Sequence, residues 1–275
     1  MGLKKLDKNK IVMVLPIWLM REFSIAASVI RKRKSLRQIG YDNELKFWEA
    51  QLNGSGQFSE SVLSAGTIEG RKKRFPEFIL PHIDKLTDGF KSKLKVVEIG
   101  PGPISTLAWG VDMGFLDLFP IDPLATDFIV LLDKYLPGFP VKPIPGTGEN
   151  ILTYPDGLVD FAYIQNALDH SKDPEKVCNN LSRVLRKGGI LALSHEYSEG
   201  THENWQNLHQ FDLFPSDGCL FLRNRWGIKK KVIKNMHENL LLEERTYLHQ
   251  RHKLNSSTEK FYIFTMVYEK VFSEK

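Results

Sequence analysis

Apolar positions change their spacing near residue 90, and this change divides the chain into two parts. Before it, apolar residues recur every three or four positions, as in residues 41–52, which is typical of amphipathic helices. After it, short runs rich in valine, leucine and isoleucine alternate with helical segments. We therefore predict a mostly helical N-terminal extension over residues 1–90 and an α/β domain over residues 91–275.

Seven short runs in the second part have the length and composition of strands. The first five alternate with helical segments, which is typical of a parallel sheet with helices on both faces. The last two are joined by a polar turn too short for a crossover helix, so they should pair as an antiparallel hairpin at the sheet edge. The predicted strands span residues 94–99, 115–122, 141–145, 158–164, 190–195, 240–251 and 260–270. The expected fold class is α/β, with a Rossmann-like, mostly parallel seven-stranded sheet; between the fifth and sixth strands we expect a loop and helices to about residue 237.

Positive charge is concentrated at the N-terminus. Residues 1–40 hold ten lysines and arginines against two acids, a net of +8; because the whole chain carries +5, the rest sums to −3. The apolar run 11–20 is too short to span a bilayer, which takes about 20 residues. We predict a helix over residues 16–37, with two interpretations open: a membrane-interfacial helix with basic anchors, or a cap helix packed on the body.

Composition and charge narrow the classes of protein. Hydrophobic residues make up 42% of the chain, which is enough for a full core. Cys178 and Cys219 are the only cysteines and match no metal spacing, so a reducing, cytoplasmic location is expected. Peripheral contact with the inner membrane face through residues 1–40 is the alternative. Because the body is slightly acidic and carries no recognisable RNA-binding module, a nucleic-acid partner is not expected.

The stretch VVEIGPGPIS, residues 96–105, forms a glycine-containing turn after the first strand. Ligands of such sheets bind beyond the carboxyl ends of the strands, and Gly100 and Gly102 allow a close backbone approach. The two prolines of the turn remove amide donors, and Ser105 replaces the third glycine of a dinucleotide fingerprint, so pyrophosphate binding is disfavoured. Glu98 is an acid on a buried strand and should meet a donor, either a ligand ammonium or a backbone amide.

Asp122 ends the second strand, where an acid can accept hydrogen bonds from ribose hydroxyls. With it, four ordered segments resemble class I S-adenosylmethionine-dependent methyltransferases: VVEIGPGPIS, FPIDP, VDFAYIQNALDH and LSRVLRKGGILAL. The resemblance covers about residues 94–195. It implies that residues 91–275 are a methyltransferase domain and that S-adenosylmethionine is the cofactor.

The resemblance also implies which residues contact the cofactor. These are Glu98, Gly100, Gly102, Asp122, Gly148, Glu149, Gln165 and Asn166. The glycine turn is expected beside the methionine portion and the acid of the second strand at the ribose. The turn at residues 148–149 is expected near the adenine, although the Asp that the family often has there is absent. The two residues after the fourth strand are expected to line the cofactor with their backbone.

The acceptor is expected near the ends of the fourth and fifth strands. A hydroxyl is a poor nucleophile until a base removes its proton, so His170 is the candidate base, with Asp169 orienting it or contacting the acceptor. An acid–His pair at this place can instead serve cofactor-side packing, and that alternative stays open. The segment 199–213 adds His209 as a third candidate catalytic residue, and its aromatic residues could stack on an acceptor ring.

These residues lead to one preferred function and several alternatives. We expect O-methylation of a hydroxylated small molecule or glycan; the basic, apolar N-terminus also suits a lipid-linked acceptor at a membrane surface. The segment 199–213 resembles, more weakly, methyltransferases of surface-glycan or secondary-metabolite assembly. The alternatives are a nucleic-acid methyltransferase and a non-catalytic Rossmann-like scaffold. No metal is expected, but a divalent ion held by residues drawn from Asp169, His170, His195, Glu196 and His209 is a further open alternative.

Overall fold

The computed structural model describes residues 35–232, 239–252 and 258–271. The predicted helix over residues 16–37 therefore lies almost entirely outside the described residues, and the membrane contact of residues 1–40 stays a prediction. Among the residues that are described, no helix is long and apolar enough to cross a membrane.

Short helices precede the first strand. They are α1 (Leu36–Leu52), α2 (Ser59–Ser64), α3 (Ile68–Arg74), a 3₁₀ turn (Glu77–Ile79) and α4 (Leu80–Thr87). Ser35 begins α1, because its hydroxyl accepts a hydrogen bond from the backbone N–H of Gln38. Pro81 lies in the first turn of α4, where a proline costs no helical hydrogen bond.

The central sheet confirms the predicted architecture. Its strands are β1 (Leu94–Ile99), β2 (Leu116–Asp122), β3 (Ile144–Pro145), β4 (Val159–Gln165), β5 (Leu185–Glu196), β9 (Asn239–His252) and β10 (Thr258–Lys270). Their order across the sheet is β3-β2-β1-β4-β5-β10-β9. The first five are parallel, whereas β10 runs antiparallel to β5 and to β9. The strand order reverses between β1 and β4, because β2 and β3 lie on one side of β1 and β4 and β5 lie on the other. Such sheets open a crevice for a ligand at this point.

Helices cover both faces of this sheet. They are α5 (Ala108–Asp112), α6 (Ala125–Tyr135), a 3₁₀ segment (Gly148–Thr153) and α7 (Pro174–Val184). Val96 and Ala192 pack with the residues of α4, while the next residues, Val97 and Leu193, pack with those of α7. Both sides of the strands are therefore buried, which explains their continuous apolar sequence.

The region after β5 differs from its prediction. The helices expected as far as residue 237 are not found in the described residues up to 232: there, one short helix, α8 (Glu199–His202), is followed by a three-stranded antiparallel sheet. Its strands are β6 (Phe211–Ser216), β7 (Cys219–Asn224) and β8 (Lys229–Lys231). Asp217 and Gly218 connect β6 to β7 with φ of 51° and 70°. An Asp-Gly pair between two apolar runs is a strong hairpin signal, and it outweighs the helical pattern here.

Candidate active site

The glycine turn has no room for side chains. Gly100 has a φ of +66°, and a Cβ there would lie 2.3 Å from the Cβ of Ala167. Gly102 has a φ of +64°, and a Cβ there would lie 2.8 Å from the indole ring of Trp48. Both positions combine a left-handed backbone with close contacts, and only glycine tolerates that combination. The turn thus brings bare backbone to the carboxyl end of β1.

Glu98 is a buried carboxyl group that finds its donors within the same turn. The hydroxyl of Ser105 donates to its Oε2 at 2.5 Å, and Thr106 contributes its backbone N–H and its hydroxyl. Burial raises the pKa of Glu98 to about 7, although these hydrogen bonds act in the opposite direction. The donor expected from the sequence is therefore supplied by the chain. Ser105, which replaces the third glycine of the dinucleotide fingerprint, has a role that the sequence did not reveal.

Asp122 ties the end of β2 to the glycine turn. Its Oδ2 accepts the backbone N–H of Gly102 at 3.1 Å, and its Oδ1 accepts that of Leu124 at 2.8 Å. Burial raises the pKa of Asp122 to about 6 against the lowering effect of these two bonds. Each carboxylate oxygen can accept further hydrogen bonds, so both can still receive hydroxyl groups of a ligand.

The turn predicted to lie near the adenine is packed against α7. A Cβ on Gly148 would lie 2.7 Å from Val177 Cγ1, and its carbonyl accepts a hydrogen bond from Asn180. The Oε1 of Glu149 accepts the backbone N–H of Lys172 at 2.7 Å. Burial would raise the pKa of Glu149, but such backbone donors outweigh it, so the pKa is lowered. The carboxylate therefore fixes the loop before α7 and is already engaged within the protein.

The segment after β4 is shaped by Gln165 and Asn166. The Oε1 of Gln165 accepts a hydrogen bond from the hydroxyl of Tyr163 at 3.1 Å, and the hydroxyl oxygen of Thr106 lies 3.3 Å away. Asn166 has a φ of +44°, and its side chain accepts the backbone N–H of Glu196 at 3.0 Å. Asn tolerates this left-handed backbone better than most residues, so the chain can turn sharply at the sheet edge.

These elements enclose a cavity of about 260 Å³ at the carboxyl ends of β1, β2 and β4. All eight residues predicted to bind the cofactor line it. Of the candidate catalytic residues, His170 lines it, whereas Asp169 and His209 lie behind His170. Trp205 and Phe211, the aromatic residues of the acceptor hypothesis, are not among the lining residues.

Helix α1 contributes a wall of the cavity that the sequence did not predict as part of the site. Arg37, Tyr41, Glu44 and Trp48 project from it at helical spacing and line the cavity. Arg37 also donates from Nη2 to the backbone carbonyl of His170 at 3.0 Å, so α1 is fastened to the segment after β4. The only sequence signal was the helical spacing itself, which cannot tell a core-facing stripe from a ligand-facing one.

Three of the predicted residues form one cluster. Asp169 is 1% exposed, and its Oδ2 lies 2.9 Å from Nδ1 of His209 and 3.6 Å from Nε2 of His170. The two histidine nitrogens lie 3.1 Å apart. His209 comes from the loop before β6, 40 residues after Asp169, and the fold alone brings them together. We call Asp169, His170 and His209 the histidine cluster.

Charge interactions within the histidine cluster favour the ionised forms of Asp169 and His209. Burial would raise the pKa of Asp169, but His170 and His209 outweigh it and the pKa is lowered. Burial would lower the pKa of His209, but the hydrogen bond and charge of Asp169 outweigh it and the pKa is raised. The buried carboxylate can therefore stabilise positive charge on an imidazole beside it.

His195 and Glu196, the other two candidate metal ligands, lie outside the histidine cluster. His195 is fully buried, burial lowers its pKa to about 4, and neither ring nitrogen has a hydrogen-bond partner among the described residues. Glu196 lies 3.0 Å from Nδ1 of His202. In the described part of the chain, the set with metal-binding geometry is Asp169, His170 and His209, whose donor atoms lie within 4.8 Å of one another.

Residues 97–193 match the family model described as a methyltransferase domain. Over these residues the chain resembles the class I S-adenosylmethionine-dependent methyltransferases. It is an enzyme, its cofactor is S-adenosylmethionine, and the non-catalytic alternative is set aside. No curated protein matches the sequence of this methyltransferase.

Solved structures of low sequence identity are similar to this chain. One is a chain of the complex between the Haloferax volcanii Trm112 methyltransferase activator and a methyltransferase: 14% identity, TM-score 0.53, covering 88% of this chain and 100% of that one. Another is the Burkholderia thailandensis 1,6-didemethyltoxoflavin-N1-methyltransferase with bound S-adenosylhomocysteine: 11% identity, TM-score 0.45, covering 87% of this chain and 92% of that one. A S-adenosylmethionine-dependent methyltransferase of Methanosarcina mazei has 20% identity and a TM-score of 0.43, covering 66% and 94%.

The residues of the cavity fit S-adenosylmethionine. The buried carboxyl groups of Glu98 and Asp122 both have raised pKa values, so a positively charged ligand or a set of hydroxyl donors would stabilise their ionised forms. Gly100 and Gly102 present bare backbone between these two carboxyl groups in the sequence, and both line the cavity. Glu98 suits the ammonium of the methionine portion, and Asp122 suits the ribose hydroxyls.

Proposed function

We propose that the methyltransferase transfers its methyl group to a hydroxyl oxygen of a small molecule or glycan. The observation that carries this proposal is the histidine cluster, in which His170 lines the cavity and is backed by the buried carboxylate of Asp169. This arrangement suits a general base, and oxygen acceptors are the class that gains most from one.

When bound, S-adenosylmethionine supplies an electrophilic methyl group on a positively charged sulfur. The chain's own residues then have two tasks, which are to hold the acceptor oxygen in line with that methyl group and to remove its proton. Because His170 lines the same cavity as Glu98 and Gly100, an acceptor beside it shares the enclosed space with the methionine portion.

The cluster provides a route for the proton in one arrangement of tautomers. If Nε2 of His170 and Nδ1 of His209 both carry a hydrogen, each can point to Oδ2 of Asp169, at 3.6 and 2.9 Å. Nδ1 of His170 then keeps a lone pair and can accept the proton of the acceptor hydroxyl. The imidazolium that results lies beside a carboxylate, which stabilises its positive charge.

Two other assignments use the same region and are distinguished by experiment. A divalent ion bound by the histidine cluster would occupy the nitrogen and oxygen atoms that the proton route needs. A nucleic-acid acceptor would need a basic surface around the site, whereas Glu44 lines the cavity and residues 41–275 sum to −3.

The test is methyl transfer from isotope-labelled S-adenosylmethionine to matched acceptors: catechol, phenol and methyl hexosides against aniline and thiophenol. We expect label on oxygen, and we expect His170→Gln to lower the rate by about 10²–10³-fold. His202→Gln is the matched control, because His202 lies in the same region outside the cluster and should keep the rate. Transfer to nitrogen or sulfur alone, or equal rates for the two variants, would overturn the proposal.

Adding a chelator distinguishes a general-base role of the histidine cluster from a metal-binding role. With the histidine cluster acting as a base, EDTA leaves the rate unchanged, and adding Mg²⁺ or Mn²⁺ does not raise it. A rate that falls with EDTA and returns with a divalent ion would assign the cluster to metal binding and contradict the base.

A further inference from the structure

A second surface with unusual chemistry lies far along the chain from the cofactor residues. The loop between β7 and β8 exposes Trp226 to 77% and Ile228 to 63%, two positions apart at the end of a hairpin. Large apolar side chains are normal on a protein surface when they are scattered, but an exposed tryptophan and an exposed isoleucine in one hairpin loop form a small apolar patch. We call residues 224–231 the tip hairpin.

Basic residues flank this apolar patch. The described residues 219–232 contain five lysines and arginines and no acid, although residues 41–275 as a whole sum to −3. Arg225, Lys229 and Lys230 are exposed. Lys230 forms an ion pair with Glu175, and the guanidinium of Arg225 lies over the Trp226 ring at 5.2 Å. The tip hairpin is therefore a local positive patch on a slightly acidic body.

The backbone holds the apolar residues in place. The side-chain Oδ1 of Asn224 accepts the backbone N–H groups of Trp226, at 3.0 Å, and Ile228, at 3.1 Å. Gly227 has a φ of +77° between them, and its N–H donates to the carbonyl of Asn224 at 2.9 Å. A loop closed by these bonds presents both side chains outward without a large loss of entropy on binding.

We propose that the tip hairpin docks the protein on an anionic lipid surface, with Trp226 and Ile228 entering the interface between head groups and acyl chains. Tryptophan favours this interface, and lysines and arginines beside it are attracted to anionic head groups. Lysines on a short edge strand also prevent strand pairing, but that role does not explain an exposed tryptophan and isoleucine. A nucleic acid would use the cations and the tryptophan ring but would gain little from the isoleucine, so the lipid surface is favoured.

The test is co-sedimentation of the full chain with phosphatidylcholine vesicles that contain or lack phosphatidylglycerol. We expect binding to the anionic vesicles. Trp226→Ser combined with Ile228→Ser should weaken it at least tenfold, while Met113→Ser combined with Val130→Ser, two residues of similar exposure elsewhere, should not. Binding that survives the first pair unchanged would overturn the proposal and assign the contact to another face, such as residues 1–40.

Charge variants and an RNA probe complete the test. Lys229→Gln and Lys231→Gln should each weaken binding to anionic vesicles by about fivefold, while Lys91→Gln and Lys93→Gln should leave it unchanged. Quenching by lipids brominated in the acyl chain should fall in Trp226→Phe, because Trp226 would no longer report from the interface. No vesicle binding by the wild type, or tighter binding of the tip hairpin to a single-stranded RNA oligonucleotide than to vesicles, would contradict the assignment.

Discussion

The two halves of the cavity are built in different ways. The half around the glycine turn uses residues close in sequence: Glu98, Gly100, Gly102 and Ser105 lie within eight positions, and Asp122 ends the neighbouring strand. The histidine cluster combines the segment after β4 with a loop 40 residues later. One half is specified by a local motif and the other only by the completed fold.

This difference corresponds to a division of chemistry. The carboxyl groups of the glycine-turn half have raised pKa values because burial dominates, so a ligand cation at Glu98 and hydroxyl donors at Asp122 would stabilise their ionised forms. In the histidine cluster the pKa of Asp169 is lowered because paired charges dominate, so it is poised to stabilise a proton on a neighbour. The first half suits binding of the cofactor, and the second suits action on the acceptor.

The largest effect on the rate of methyl transfer should come from removing the negative charge of Asp169 in the histidine cluster. Asp169→Asn keeps the shape of the side chain but cannot stabilise an imidazolium, so methyl transfer should slow by about 10²–10³-fold while cofactor affinity changes little. Steady-state rates with the best oxygen acceptor, together with calorimetric titration of the cofactor, measure both. Asp117→Asn, at an exposed position of β2, serves as the control. If cofactor affinity falls as steeply as the rate, the two halves are not separate.

The pair Gly100→Ala and Gly114→Ala tests how tightly the glycine turn is packed. Both glycines have positive φ, but a Cβ on Gly114 meets nothing within 4 Å, whereas one on Gly100 meets Ala167. Each variant should lose about 1–2 kcal/mol of unfolding free energy to backbone strain, and Gly100→Ala about 1–3 kcal/mol more to overpacking. Urea denaturation measures the difference. Equal losses would show that the turn relaxes around a side chain.

A smaller effect should appear in the pH dependence of cofactor binding. The raised pKa of Glu98, about 7, means that the apo protein holds this proton below neutral pH and must release it to pair with a cation. Affinity should therefore rise by about tenfold between pH 6 and pH 8, and Glu98→Gln should remove that rise. Titrations of both proteins at the same pH values isolate Glu98 from the ionisation of the cofactor itself. The same pH dependence in the variant would contradict this role.

The sequence predicted those features that depend on local patterns. Alternation of short apolar runs and helices gave the seven-stranded sheet, and the glycine turn with Asp122 gave residues that line the cavity. Neighbouring positions in the chain carry these signals, since a strand end and the turn after it are fixed by the same few residues.

The sequence did not reveal features that depend on packing. Trp48 has the spacing of a core-facing helical residue, and only its contact with Gly102 shows that α1 closes the cavity. The short hairpin at Asp217–Gly218 carried a readable turn signal that the helical interpretation of that region missed. The pairing of Asp169 with His209 had no local signal, because it depends on where the loop before β6 returns.

The most direct test of the division between the two halves is a calorimetric titration of S-adenosylmethionine into the Asp122→Asn and His170→Gln variants, which measures the cofactor affinity of each. The account predicts that Asp122→Asn weakens affinity at least tenfold, because hydrogen bonds to a charged, buried acceptor are lost. It predicts that His170→Gln changes affinity by no more than about twofold. A weaker affinity in His170→Gln than in Asp122→Asn would contradict it.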